Sequence, residues 1–373
     1  MLPAVAVLLL LLQSCSSIPA PAPTPALLKG RALLYQAENR YAYPQAIQAL
    51  EEAVAEAPDD AGAALDLAYA YTKRGRYAQA LPLLDALAEK PRTLPRARRG
   101  WLQALHLKAL DRVPEEAAAW ARVTAAQPQD RWAWYEQASA LASLRRFDEA
   151  AAAAAAAART EPDPARWESS WLYYLHSKAL YRAGRYAAAG AAAARGKGNA
   201  TTWRSTYFRQ ALAELKSGVM TDPEVAVAEY LRLAREEART SEEVAYANIA
   251  LFFFELGDYD QANSYATQAM ALGNSAYPMW TRAFAQAEAG QPAAALELAS
   301  NALTEHPDHR YLTAALGWAH YRLGDAAAAT AALEQAVTQG PRRNFHMEAL
   351  LDHARALAAN PASDPAPPIA FIE

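Results

Sequence analysis

A spacing of 33 to 34 residues, marked by Gly257, Gly290 and Gly324, recurs along most of this 373-residue chain and limits what it can fold into. In the stretch from Arg310 to Arg343, Gly317 stands seven residues before Gly324. Ala329, Leu333 and Ala336 follow Gly324 by five, nine and twelve, and Pro341 closes the unit. A residue without a side chain where two helices touch, a glycine at the turn, and a small apolar stripe after it describe an antiparallel helical hairpin.

The same frame set on Gly290 finds Ala283, Ala295, Ala299, Ala302 and Pro307, and set on Gly257 it finds Ala250, Ala262, Ala266 and Ala269. Gly184 and Gly75 start two more units. Arg145, Asp111 and Tyr41 stand at the turn of three that lack the glycine. The unit at Asp111 carries Glu116 where a small residue is expected, and the ninth, near Gly218, has a widened turn with Asp222-Pro223 opening its second helix. Nine units in register resemble the tetratricopeptide repeat. The resemblance implies an all-α, right-handed α-solenoid of about nine helical hairpins, with a helix from about 344 to 360 capping the last apolar face. Phe345, Leu350, Leu351, Ala354 and Leu357 form the apolar side of that helix. The prolines of 361–373 forbid regular structure there, and Ile369, Phe371 and Ile372 give that tail an apolar ending, where a free tail is set against a docking motif as the lesser alternative.

Ahead of the array, expected over 26–343, residues 1–14 hold an apolar run, Pro3 to Leu12, too short to span a bilayer. The sequence Leu12-Gln13-Ser14-Cys15 is similar to a bacterial lipobox. That likeness implies cleavage before Cys15, the only cysteine in the chain, and palmitate and diacylglycerol on it. An export signal with an incidental cysteine is the other reading. Ser16, by analogy with enterobacterial lipoproteins, points to the outer membrane. Residues 15–25 then form the lipidated end and a Pro-rich tether of roughly 30 Å, holding the array off the membrane.

The chemistry legible in the chain is recognition rather than catalysis. No His-Glu-x-x-His, Gly-x-Ser-x-Gly or cysteine pair occurs. Gly190 to Gly198 lacks both the spacing and the Ser or Thr of a phosphate loop. His306 and His309 flank Asp308 in an inter-repeat turn, where a solvated turn is set against a zinc site. No cofactor or metal is expected. The net charge of −4, without a basic stripe, gives nucleic acid no footing, although Lys90 to Arg99 is a basic loop that is read either as a solvated turn or as a contact for anionic lipid or glycan.

In the family that the chain resembles, the first helix of each repeat lines a concave groove at places thirteen, ten, six and three residues before the turn. Those places hold Tyr69, Trp101, Trp132, Tyr135, Trp171, Tyr174, Tyr181, Phe254, Tyr277, Trp280, Phe284, Tyr311, Trp318 and Tyr321, with Lys108 and Lys178 among them. Exposed aromatics on a groove mark partner binding. Buried ones would fill gaps between repeats. The expectation is a scaffold of the bacterial cell envelope, lipid-anchored, facing the periplasm, and gripping protein partners through these rings. Glycan binding, in polysaccharide export or peptidoglycan handling, is the alternative.

Overall fold

The computed structural model describes residues 22–35, 42–160, 167–196, 203–236, 240–339 and 345–360, with 167–170, 203–205 and 345–346 described by their backbone alone. The leader, Cys15, most of the tether, Tyr41 and the tail 361–373 lie outside the described residues.

Within the described residues the chain is helical throughout and has no strand. The helices are α1 (Pro25–Tyr35), α2 (Tyr43–Glu56), α3 (Ala61–Lys73), α4 (Tyr77–Glu89), α5 (Arg96–Ala109), α6 (Val113–Ala126) and α7 (Arg131–Ser143). There follow α8 (Phe147–Arg159), α9 (Trp167–Arg182), α10 (Tyr186–Arg195), α11 (Trp203–Ser217), α12 (Pro223–Glu236) and α13 (Glu242–Leu256). The last are α14 (Tyr259–Leu272), α15 (Ala276–Glu288), α16 (Pro292–Glu305), α17 (Arg310–Arg322), α18 (Ala326–Thr338) and α19 (Phe345–Ala359). Odd and even helices pair into nine hairpins, each packed on the next, and α19 packs on α18 and α17.

The hairpin turns share one backbone device. Gly75, Gly184, Gly218, Gly257, Gly290 and Gly324 all have a positive φ, and so do Asp111 and Arg145, which hold the glycine place in the third and fourth units. The left-handed conformation ends the first helix and reverses the chain within a few residues, so the frame read from glycines is obeyed even where glycine is missing. Two of the second helices, α14 and α18, then begin on aspartate caps. Asp258 accepts from the Gln261 amide at 3.1 Å and Asp325 from the Ala328 amide at 3.0 Å. At the widened turn, Asp222 accepts from the Glu224 amide at 2.9 Å just as α12 starts.

Alanines at the repeat positions let the helices approach. Ala295, Ala299, Ala329 and Ala336 have little or no exposure, and Gly317 sits so close to α18 that a Cβ on it would stand 2.7 Å from Leu333 Cγ. Gly317→Ala should therefore lower stability by about 1–3 kcal/mol through overpacking, more than the roughly 1 kcal/mol that alanine gains in helix propensity. A urea midpoint at or above that of the native chain would contradict this.

The apolar interior falls into two main clusters. One runs from Ala26 to Ala133, the other from Val113 to Ala354, and α6 contributes to both: Trp120 and Val123 to the first, Val113 and Ala117 to the second. At the C-terminal end, Met347, Leu350, Leu351 and Ala354 of α19 are buried, and Leu357 is half-buried against the same cluster.

Candidate functional site

The odd-numbered helices carry the aromatic residues expected to line the groove, and the structure corrects their exposure. Trp101, Trp132, Tyr174, Tyr181, Phe254, Trp280, Phe284, Trp318 and Tyr321 are buried, as is Tyr69, while Tyr135, Trp171, Tyr277 and Tyr311 are half-buried. The cause is the alanine content of the neighbouring helices, which leaves space that only a large ring can fill. Tyr69 meets Trp101 edge-on at 5.1 Å, and Trp101 meets Trp120 of α6 edge-on at 5.0 Å. Trp280 stacks on Tyr311 at 5.0 Å and Trp318 on Tyr321 at 4.5 Å. Tyr69–Trp101 and Trp280–Tyr311 join neighbouring hairpins, Trp101–Trp120 joins the two helices of one hairpin, and Trp318–Tyr321 lies within α17.

Among these rings runs a row of charged and amide side chains, buried or half-buried. In α3, Asp66 is 1% exposed and is held by Arg31 Nε at 2.7 Å, by the Tyr35 hydroxyl at 2.7 Å and by Arg98 of α5. Arg98 thus leaves the basic loop of the sequence reading to serve a buried carboxylate, and Arg99 donates to the Leu94 carbonyl at 3.1 Å. Burial, then the Asp66 charge, pushes the Tyr35 hydroxyl far above its ordinary pKa.

A second cluster centres on Glu136 of α7, which has no exposure. Its carboxylate accepts from the Tyr69 hydroxyl at 3.0 Å, from Lys73 Nζ at 3.1 Å and from Lys108 Nζ. Three hairpins therefore meet on one carboxylate. Burial opposes the Lys73 charge, but Glu136 and then Tyr135 outweigh it, so the ammonium is held above its ordinary pKa. Lys73 also lies 4.2 Å from the centroid of the Tyr135 ring. Thr72, Lys73, Tyr77, Lys108, Tyr135 and Ser139 line a cavity of about 400 Å³ beside the cluster.

Toward the C-terminal end, Arg209 of α11 is buried with its guanidinium 5.4 Å and 5.7 Å from the Tyr174 and Tyr181 rings. Burial, then the Glu255 charge, pushes the Tyr181 hydroxyl up to about 12. Asn248 donates to the Tyr230 hydroxyl at 2.9 Å and accepts from that of Tyr277 at 3.0 Å. Glu288 accepts from Trp318 Nε1 and lies 3.8 Å from Arg322 Nε. Burial raises its pKa, and both partners oppose that rise.

One spacing unites these residues. Asp66, Glu136, Arg209 and Asn248 stand nine residues before their turn positions, and Lys73, Arg182, Glu255, Glu288 and Arg322 stand two before. Nine and two differ by seven, two turns of helix, so both places share a face. Two other candidates resolve structurally. Glu116 is buried and accepts from Trp120 Nε1 at 3.3 Å, and His309 caps α17 by accepting from the Leu312 amide at 3.4 Å. Among the described residues no three His, Cys, Asp or Glu side chains gather as a metal site would require, and no helix is long and apolar enough to cross a membrane. The described partners of the row are mostly its own members and the rings beside it, so it ties neighbouring hairpins together.

The family comparison agrees with this architecture. A tetratricopeptide repeat profile matches residues 39–100 and 286–353. No curated protein matches the sequence. Among solved structures, the chain is similar to the APC/C hetero-tetramer Cut9-Hcn1, at 13% identity and TM-score 0.48, with 88% of this chain covered and only 55% of that one. It is also similar to yeast Tom70, at 14% identity and TM-score 0.37 with 87% of each chain covered. A tetratricopeptide repeat protein from Parabacteroides merdae gives 12% identity and TM-score 0.47, covering 79% of this chain and 99% of that one. Residues 39–100 and 286–353 are thus tetratricopeptide repeats, and the hairpins between them keep the same turn frame.

Proposed function

We propose that this protein is a non-catalytic scaffold, moored to the bacterial envelope by lipid on Cys15 and facing the periplasm, that gathers protein segments in its groove during assembly of an envelope complex. The tetratricopeptide repeat fold supports a protein-interaction scaffold in general terms. The finer reading rests on one observation in the groove. The cavity beside Glu136 is edged by the exposed Arg74 and by the hydroxyl-bearing Tyr77, Tyr135 and Ser139, a polar lining with a cation at its rim that suits the backbone and acidic side chains of an extended peptide. The glycan alternative loses support because most of the rings that would stack on sugars are buried.

The experiment has two arms in the native cell. Cys15→Ala should abolish palmitate labelling and move the protein out of the membrane fraction. Retained labelling and sedimentation would reject the anchor. A photocrosslinker at Lys178 in the groove should capture specific envelope proteins that one at Glu297, on a second helix, does not. Equal capture from both positions, or protection of the Lys178 position by polysaccharide instead, would reject protein binding in the groove.

A further inference from the structure

Glu348, Ala349 and Asp352 of α19 and Val113, Ser143, Leu144 and Arg145 of the third and fourth hairpins line one cavity of about 240 Å³. Glu348 follows Arg145 by 203 residues, so the superhelix has come round on itself between the fourth hairpin and the last helix. Two carboxylates and one guanidinium face the same space. The neighbouring charges are engaged elsewhere: Arg146 forks onto Glu149 with Nε at 2.6 Å, and Arg355 binds Glu334 at 3.0 Å.

Arg145 is itself out of place. It occupies the left-handed turn position with φ 59°, where six other hairpins use glycine and the third uses aspartate. Glycine meets no penalty there, and aspartate can bond locally, whereas arginine has neither excuse. A residue kept in a strained conformation points to a task for its side chain. The Arg145 charge already reaches α19: the His353 imidazole lies below its ordinary pKa through burial, with Asp352 opposing and Arg145 adding to the shift.

We infer that α19 is a clasp, in which Glu348 and Asp352 attract Arg145 and hold hairpins four to nine as a closed ring, so that a segment bound in the groove enters by parting this seam. The closure stands on the geometry alone, and only its use for entry rests on the scaffold reading. An exposed attraction of this kind shifts the opening equilibrium by up to about fivefold at low salt, and less as salt screens it.

The test uses the full chain with Cys15→Ser and spin labels at Glu149→Cys and Ala356→Cys, read by pulsed dipolar spectroscopy. One narrow, short distance population is expected, with a longer one appearing on Arg145→Glu. Arg145→Gly should show the same longer population although it relieves the turn, leaving Tm equal or higher, which a purely structural role for Arg145 would not produce. Arg145→Glu combined with Glu348→Arg and Asp352→Arg should restore the short distance. Unchanged distances in Arg145→Glu and Arg145→Gly, or no short population in the native chain, would overturn the clasp. Crosslinking at Lys178 is scored separately, so an open seam with normal capture rejects the entry route alone.

Discussion

Trp318→Ala is expected to cost about 3–5 kcal/mol, the range for deleting a large ring from a packed interior. Trp318 is 1% exposed, stacks on Tyr321, and gives its Nε1 proton to Glu288, whose side chain is 3% exposed. Alanine would leave a cavity and strip one donor from a carboxylate that burial already disfavours. Trp318→Phe separates the two effects, since it keeps most of the apolar area and should lose only the about 1–3 kcal/mol of an unsatisfied buried acceptor. Equilibrium urea unfolding followed by helical circular dichroism reads both. The half-buried Tyr311, changed to Ala, should cost clearly less. If Trp318→Ala unfolds at the native midpoint, the ring is not a packing element and the groove assignment made from sequence regains its place.

Glu136→Ala should be comparably damaging, by about 3–5 kcal/mol, because removing one partner of a buried ionic cluster strands the others. Lys73 and Lys108 would then face each other with no carboxylate between them, and the Tyr69 hydroxyl would lose its acceptor. Replacing the set with Lys73→Met, Lys108→Met and Glu136→Leu should recover much of the loss, since apolar groups of similar size need no partner. A folded pKa for Lys73 above its unfolded value means its stabilising contribution is complete below that unfolded value, near about 10.4, and fades as pH climbs toward the folded one. The native chain should thus keep this contribution between pH 6 and 9 and lose it only in alkali. A pH-stability curve for Glu136→Ala that parallels the native one through the alkaline limb would argue against the assignment.

The hairpins were readable because the frame rests on backbone geometry that few residues satisfy. Gly75, Gly184, Gly257, Gly290 and Gly324 mark it, and Asp111 and Arg145 obey it against their preference. Ring exposure was not readable. A tryptophan at the face of a helix is exposed or buried according to how much room the next hairpin leaves, and alanines such as Ala299 and Ala329 leave much. Much of the charged row escaped because the groove was sought at thirteen, ten, six and three residues before each turn, while Asp66, Glu136 and Arg209 sit at nine and Lys73, Arg182 and Arg322 at two. Their partners are also remote: Arg98 reaches Asp66 across 32 residues and Tyr69 reaches Glu136 across 67. No local window contains both ends of such a bond.

The oily interior is interrupted where α6 passes between its two clusters, and the Glu136 carboxylate spans that interruption by tying α3, α5 and α7 together. Greasy surfaces slide over one another with little preference for angle, whereas directional bonds to a single acceptor fix one. The angle between these hairpins is therefore set like a pinned hinge, by a few polar atoms, and because the pin is buried it holds against salt and against pH short of alkali.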